Sequence, residues 1–190
     1  MAEARIARLV PPLGAELSEI LSGIMPPGRE PLALFLTIAH NPRVLARLRA
    51  GSLLDRGSLS LREREIVIHR TTARLRCEYE WGVHVAFFAA RAGFGAAEIA
   101  ATCKLQVRPG IWSAAEQALI AAVDGLCDEA GWSDEVHSEL ARHFSPAQVI
   151  EIVALTGFYH MVAFHANALR IAPEPWAARF PADGIQKIAP

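Results

Sequence analysis

The sequence predicts an all-α protein, and three observations support that prediction. Apolar residues recur at helical spacing along most of the chain, and no segment keeps the strict alternation of a half-buried strand. Several segments begin with residues that cap helices, and Pro and Gly separate the segments from one another. The helix starts are Asn41-Pro42, Ser60-Leu-Arg-Glu63, Ser113-Ala-Ala-Glu116 and Ser145-Pro146.

We predict seven to nine helices in chain order. The first 30 residues contain two Pro pairs around one short helix, so we expect an arm or lid there. The tail 173–190 contains three prolines after its first residue and is expected to be extended. The predicted helices are 15–22, 31–38, 42–50, 60–75, 77–92, 96–103, 113–126, 133–142 and 145–169.

Length and composition indicate one domain over residues 1–190, large enough to bury its own core. Apolar residues make up 52% of the chain, which favours a homo-oligomer that hides the surplus. With 19 basic and 20 acidic residues, nothing indicates binding to nucleic acid or to an anionic membrane. The Arg-rich stretches 43–49 and 62–76 are interpreted as solvated helix faces.

The three cysteines are too few and too widely spaced for a disulfide framework, which favours a reducing compartment. The N-terminal sequence lacks the pattern of a signal peptide. No apolar run is expected to reach the ~20 residues that span a bilayer. We therefore predict a cytoplasmic protein.

The candidate site begins at Cys77, at the start of a predicted helix. On a helix that advances 100° per residue, Cys77, Glu80 and His84 fall within about 60° of one another. A thiolate at a helix N-terminus is favoured by the helix dipole, and an imidazole or carboxylate beside it can transfer its proton. The three side chains therefore converge on one helix face.

Each of these residues also has an ordinary structural explanation. A lone Cys or His on an apolar helix is usually part of the core, and Glu80 could simply pair with His84 four residues on. Three reactive side chains bordering the apolar stripe of Val83 and Phe87 are nevertheless costly to bury without a function. The cluster favours a functional site.

Glu65 lies on the preceding predicted helix. Its ordinary explanation is a solvated charge paired with Arg62 or His69. Sequence spacing alone does not bring Glu65 to Cys77, and only packing of the two helices can do so. A metal site of Glu65, His69, Cys77 and His84 matches no trusted ligand spacing, so neither a metal nor a cofactor is predicted.

Other polar residues carry weaker signals. Tyr159, His160 and His165 lie on the last predicted helix, where packing is the default and lining a pocket is the alternative. The sequence contains no Gly-rich phosphate loop, no nucleophile elbow and no CxxC pair.

The spacing around the candidate site resembles the carboxymuconolactone decarboxylase / alkylhydroperoxidase-D-like family. Glu65 is followed twelve positions later by Cys77-x-x-Glu80-Trp81-x-x-His84, and then by Ala92-Gly93. Three further segments fit one branch of that family over most of the chain. They are the Asn41-Pro42 helix start, Trp112-x-x-x-Glu116 and Gly157-x-Tyr159-x-Met161.

The resemblance implies a compact all-helical bundle that assembles as dimers, trimers or hexamers. In alkylhydroperoxidase-D-like enzymes two CxxC thiols cycle through a disulfide, and a Glu and a His relay protons. Glu65, Cys77 and His84 match those positions, whereas Glu80 stands where the second Cys would be. The usual disulfide between the two motif cysteines cannot form here.

Two enzymatic functions and one binding function stay open at this point. In the decarboxylase branch, His and Glu act as acid–base groups on a small carboxylated lactone. This implies that Glu80 and His84 transfer protons. Glu65 would orient or relay, and Cys77 would be a pocket wall or an auxiliary donor. In the thiol-peroxidase alternative, Cys77 is the nucleophile, resolved by Cys103, an external thiol or a partner chain. The third possibility is a non-catalytic module that binds a small molecule.

Overall fold

The computed structural model of the chain describes residues 3–25, 28–104 and 110–182, and in these ranges all regular structure is helical. The all-α prediction is confirmed. The nine helices of the described ranges are α1 (Ala15–Ser22), α2 (Ala33–Ile38), α3 (Pro42–Ala50), α4 (Leu61–Arg74), α5 (Glu78–Phe88), α6 (Ala96–Ala101), α7 (Ala114–Glu129), α8 (Asp134–Ala141) and α9 (Pro146–Ala168).

Capping side chains set the starts of the longer helices. The hydroxyl of Ser60 accepts the backbone N–H of Glu63, whose carboxylate in turn accepts the backbone N–H of Ser60. The same reciprocal pair opens α7 at Ser113 and α9 at Ser145. Because these bonds satisfy backbone donors that a helix leaves free, they fix the first turn of each helix.

Helix α4 lies at the centre of the fold and packs against α5, α7 and α9. Its residues from Glu65 to Ala73 are all buried, polar ones included. The prediction that 62–76 forms a solvated face is therefore wrong. Arg70 is buried, and its Nε and Nη2 donate to the two carboxylate oxygens of Asp124, each at 2.6 Å.

Helix α9 is the longest of the described helices, with 23 residues. Its most apolar 18-residue window has a mean hydropathy of 1.4, so by length and composition alone it could cross a membrane. We expected no apolar run long enough to span a bilayer, and α9 shows that this expectation is wrong. Core helices of helical domains pass the same test, and α9 packs its inner side against α4, α5 and α7.

The described part of the C-terminal tail contains no helix and includes a turn at 175–177, and it packs against the start of α5. The carboxylate of Glu174 accepts the hydroxyl of Tyr79 at 2.7 Å and the backbone N–H of Ala33 at 2.7 Å. Further along, the ring of Phe180 lies 5.0 Å from that of Trp81. The tail thereby ties α2 to α5.

Gly82 allows the tail to approach α5 closely. The backbone N–H of Ala178 donates to the carbonyl oxygen of Gly82 at 3.1 Å, and a Cβ at Gly82 would overlap the carbonyl oxygen of Ala178. We expect Gly82→Ala to lower the free energy of unfolding by about 1–3 kcal/mol, because backbone must move. Urea denaturation of both variants tests this, with Gly51→Ala as the control. A Cβ at Gly51 meets other atoms only at ordinary contact distance, so a loss of equal size there would contradict the explanation.

Candidate active site

Packing of α4 against α5 brings Glu65 and His84 together. Both side chains are buried, and Nδ1 of His84 donates to Oε2 of Glu65 at 2.8 Å. Nineteen residues separate the two in sequence. The contact therefore depends on the fold and not on helical spacing.

The second oxygen of Glu65 is held by Arg64. Nε and Nη2 of Arg64 lie 3.2 Å and 3.0 Å from Oε1 of Glu65. Burial alone would raise the pKa of Glu65, but His84, His69 and Arg64 outweigh it and lower the pKa. Glu65 is thus an ionised, fully buried carboxylate. It is neither solvated nor paired with Arg62, which binds Glu98 and Glu116 instead.

His84 connects this buried carboxylate to two further side chains. Its Nε2 lies 2.9 Å from the hydroxyl oxygen of Tyr159 and 3.4 Å from Oε1 of Glu80. Burial would lower the pKa of His84, but the Glu65 carboxylate and then Glu80 raise it to about 9. At neutral pH the ring is an imidazolium that donates from both nitrogens. The Tyr159 oxygen then accepts from Nε2, and its own hydrogen is free to bind another group.

These side chains reach an apolar cavity of about 360 Å³. The size suits a small metabolite, since ligand pockets begin near 300 Å³. Five polar side chains line it, and they are Arg49, Ser52, Glu80, His84 and Tyr159. The apolar lining includes Leu32, Leu34, Phe35, Val83, Phe87, Phe88, Phe158 and Val162.

Glu80 is the carboxylate that faces this cavity. It is 7% exposed, and its Oε2 has no hydrogen-bond partner. A buried carboxylate oxygen without a partner is costly, and such atoms often belong to sites where a substrate completes the bonding. Glu80 therefore offers a free acceptor beside the imidazolium of His84.

Cys77 precedes α5 as its N-cap residue and is fully buried. Burial raises the pKa of its thiol to about 12, so the favourable effect expected from the helix N-terminus does not prevail. Cys77 is not among the residues that line the cavity. The structure thus brings Glu65, Glu80 and His84 into one connected group and leaves Cys77 outside the cavity wall.

The other two cysteines lie elsewhere in the described fold. Cys103 packs with Ala73 and Trp81 in a small core cluster of its own, whereas Cys77 belongs to the main core. Cys127 lies on α7, and burial raises the pKa of its thiol to about 12. The thiols of Cys77 and Cys127 are free.

His69 lies beside the buried carboxylate but does not reach the cavity. Its Nε2 is 3.8 Å from Oε2 of Glu65, and neither ring nitrogen has a hydrogen-bond partner. The ring packs between Trp81 and Phe94, and burial lowers its pKa to about 4. In residues 3–25, 28–104 and 110–182, no three His, Cys, Asp or Glu side chains are placed to hold a metal ion.

Tyr159 is a member of this group that spacing around Cys77 does not indicate. A buried Tyr needs a hydrogen-bond partner, but the burial of Tyr159 could not be known from sequence, which offered only packing or a pocket lining for it. The other two polar residues, His160 and His165, are satisfied within α9. Nδ1 of each ring bonds a carbonyl oxygen of that helix, at 2.9 Å and 2.8 Å. Of the three polar residues considered on this helix, only Tyr159 lines the cavity.

Solved structures similar to this chain share its fold at low sequence identity. A protein of unknown function from Agrobacterium tumefaciens, described as a candidate AhpD antioxidant defence protein, is 18% identical with a TM-score of 0.66, and the match covers 72% of this chain and 94% of that one. An uncharacterised peroxidase-related protein from Ralstonia eutropha JMP134, described as an alkylhydroperoxidase AhpD core, is 20% identical with a TM-score of 0.67, covering 90% and 93%.

A third similar structure is the debrominase Bmp8, solved as a cysteine-to-alanine variant with 2,3,4-tribromopyrrole. It is 17% identical with a TM-score of 0.68, and the match covers 92% of this chain and 94% of that one. No curated protein matches the sequence. Residues 40–124, which contain Glu65, Cys77, Glu80 and His84, match the model of the carboxymuconolactone decarboxylase family. The resemblance found in the sequence is therefore confirmed over residues 40–124, and the whole described fold is similar to that of the alkylhydroperoxidase-D-like structures.

Proposed function

We propose that the protein is an enzyme that performs acid–base chemistry on a small carboxylated or lactone metabolite. One observation carries the proposal: Glu80, His84 and Tyr159 share one apolar cavity, whereas Cys77 does not line it. Acid–base catalysis needs proton-transferring groups within reach of the substrate. A thiol mechanism needs the sulfur there instead.

In this proposal Glu80 exchanges a proton with the substrate carbon. Its Oε2 is the free acceptor at the cavity wall, and the imidazolium lies 3.4 Å from the other oxygen. The imidazolium of His84 and the hydroxyl of Tyr159 stabilise negative charge that develops on a substrate oxygen. Glu65 does not touch the substrate, and it positions His84 and keeps it charged.

The thiol-peroxidase alternative has less support from the geometry. Attack on a peroxide requires a thiolate, and a pKa of about 12 leaves Cys77 protonated at neutral pH. The similar structures described as a candidate AhpD antioxidant defence protein and as a peroxidase-related AhpD core share the fold and no more than 20% identity. A binding module without catalysis would use the same cavity but would not need the Glu65–His84 pair.

Matched variants of Glu80 and Cys77 test the proposal. On a substrate found by screening small carboxylic acids and lactones, we expect Glu80→Gln to lower kcat by about 10²–10⁴, because the amide cannot accept the proton. Cys77→Ser should retain most activity, and a pulse of peroxide should leave the Cys77 thiol unmodified by mass spectrometry. A sulfenic acid or mixed disulfide at Cys77, with turnover lost in Cys77→Ser, would establish the redox alternative. Thermal stabilisation by a metabolite without turnover would favour the binding module.

We also propose that the protein assembles as a homo-oligomer and acts in the cytoplasm. The support for assembly is the outer side of α9, where the large apolar side chains of Ile150, Val153 and Phe164 are exposed. Such apolar area is usually covered by another chain. The cytoplasmic location stays a prediction from cysteine usage and the N-terminal sequence.

A further inference from the structure

The cavity contains one cationic side chain whose role the proposed chemistry does not use. Arg49 lies in the last turn of α3 and lines the cavity together with Gly23 and Ile24, which follow α1. Its Nη1 donates to the carbonyl oxygen of Ile20 at 3.3 Å. Across the described residues it forms no ion pair with a carboxylate, so none of its five N–H donors has a charged partner.

Gly23 makes room for this guanidinium. A Cβ at residue 23 would occupy the space taken by Nη2 and Cζ of Arg49. The backbone there has φ −93° and ψ 2°, which any L-residue adopts, so the conformation alone does not require glycine. The absence of a side chain at residue 23 thus matters for the position of the Arg49 head group.

The charged side chains of the cavity come from different helices. Arg49 comes from the α1–α3 side, whereas Glu80, His84 and Tyr159 come from α5 and α9. A carboxylate on the ligand would be repelled by Glu80 and attracted by Arg49, which matches planar carboxylates with two parallel N–H groups. The lining also includes the rings of Phe35 from α2, Phe87 from α5 and Phe158 from α9.

We propose that Arg49 binds a carboxylate of the substrate that does not react, and that the substrate is a small apolar carboxylic acid. The inference builds on the proposed function and adds its substrate class and the residue that selects it. Arg49 holds the carboxylate, the aromatic walls take the apolar body, and the remaining part of the molecule is directed to Glu80 and His84. The arm before residue 30 contributes to this recognition through Gly23.

Binding of an unreactive acid tests the proposal separately from catalysis. The probes are benzoate and benzamide, which share one ring and differ in charge, measured by isothermal titration calorimetry at pH 7. We expect benzoate to bind more tightly than benzamide to the unaltered protein. Arg49→Gln should raise the Kd of benzoate about 10-fold or more and leave the Kd of benzamide unchanged.

Two further variants sharpen the test. Gly23→Ala keeps the charge but displaces the guanidinium, so we expect it to weaken benzoate binding and to spare benzamide. Arg47→Gln removes an exposed arginine from the same helix turn, outside the cavity lining, and should change neither Kd.

Several outcomes would overturn the assignment. They are equal affinity for the two probes, no binding of either probe, an equal loss of both in Arg49→Gln, or a benzoate loss of the same size in Arg47→Gln. Benzoate has no reaction to undergo, so these results do not depend on turnover. If Glu80→Gln abolishes turnover while Arg49→Gln spares benzoate, the acid–base function stands and the carboxylate assignment falls.

Discussion

Replacement of His84 by asparagine is expected to lower kcat by about 10²–10⁴ while the fold is retained. The Asn amide nitrogen can take the place of Nδ1 and donate to Glu65, so the buried carboxylate keeps a partner. What the variant lacks is the positive charge beside Glu80 and Tyr159. Steady-state kinetics on the screened substrate, with circular dichroism to verify folding, measure the effect.

The control for this variant is His165→Asn. His165 is a half-buried histidine that bonds the carbonyl oxygen of Met161 in its own helix, away from the cavity. Its replacement should leave kcat within about twofold. Comparable losses in the two variants, or full activity in His84→Asn, would exclude His84 from catalysis.

Stability is expected to fall as the pH rises from about 6.5 to 9, because of His84. Its pKa is raised from 6.5 to about 9 in the folded protein, so the native state holds a proton that the unfolded state has released. The stabilisation is complete below pH 6.5 and is lost as pH passes through 9. A shift of this size corresponds to roughly 3 kcal/mol. The lowered pKa of Glu65 arises from the same ion pair with His84, so its contribution to stability is not added to this free energy.

Below pH 6.5, His69 is expected to make the stability of the protein rise with pH. Its pKa falls from 6.5 to about 4 on folding, so between these pH values the unfolded state binds more protons and stability is lost as pH falls. Urea denaturation from pH 4 to 9.5 should therefore show a maximum near pH 6.5. His69→Leu should flatten the acid side and leave the alkaline side in place. A profile that is level from pH 6.5 to 9 would contradict the charged state of His84.

The helices could be predicted from sequence because their signals are local. Ser60, Ser113 and Ser145 each cap a helix through residues within three positions, and the structure contains all three reciprocal pairs or their Gln equivalent. The shared face of Glu80 and His84 is likewise a matter of helical geometry. Such features need no knowledge of what packs against the helix.

The contacts of the site could not be predicted in the same way. Arg70 looked solvated by composition, yet α4 is enclosed by three helices, and the charge is buried against Asp124, 54 residues away. The hydrogen bond between Tyr159 and His84 spans 75 residues. Cys77 is a further example. The helix N-terminus favours its thiolate, but burial of the thiol opposes this effect, and burial could not be predicted from sequence.

The residues that line the cavity come both from inside and from outside the segment that matches the family. Glu80, His84 and Arg49 lie inside the segment 40–124 that matches the family, whereas Gly23, Phe35 and Tyr159 lie outside it. The pair that we propose to transfer protons thus lies within the matched segment, whereas part of the cavity lining lies outside it. A chimera that exchanges residues 3–38 with those of a relative would exchange one wall of the cavity and keep both Glu80 and His84. The segment that matches the family thus contains Arg49 as well as Glu80 and His84, and the residues on either side of it supply part of the cavity wall.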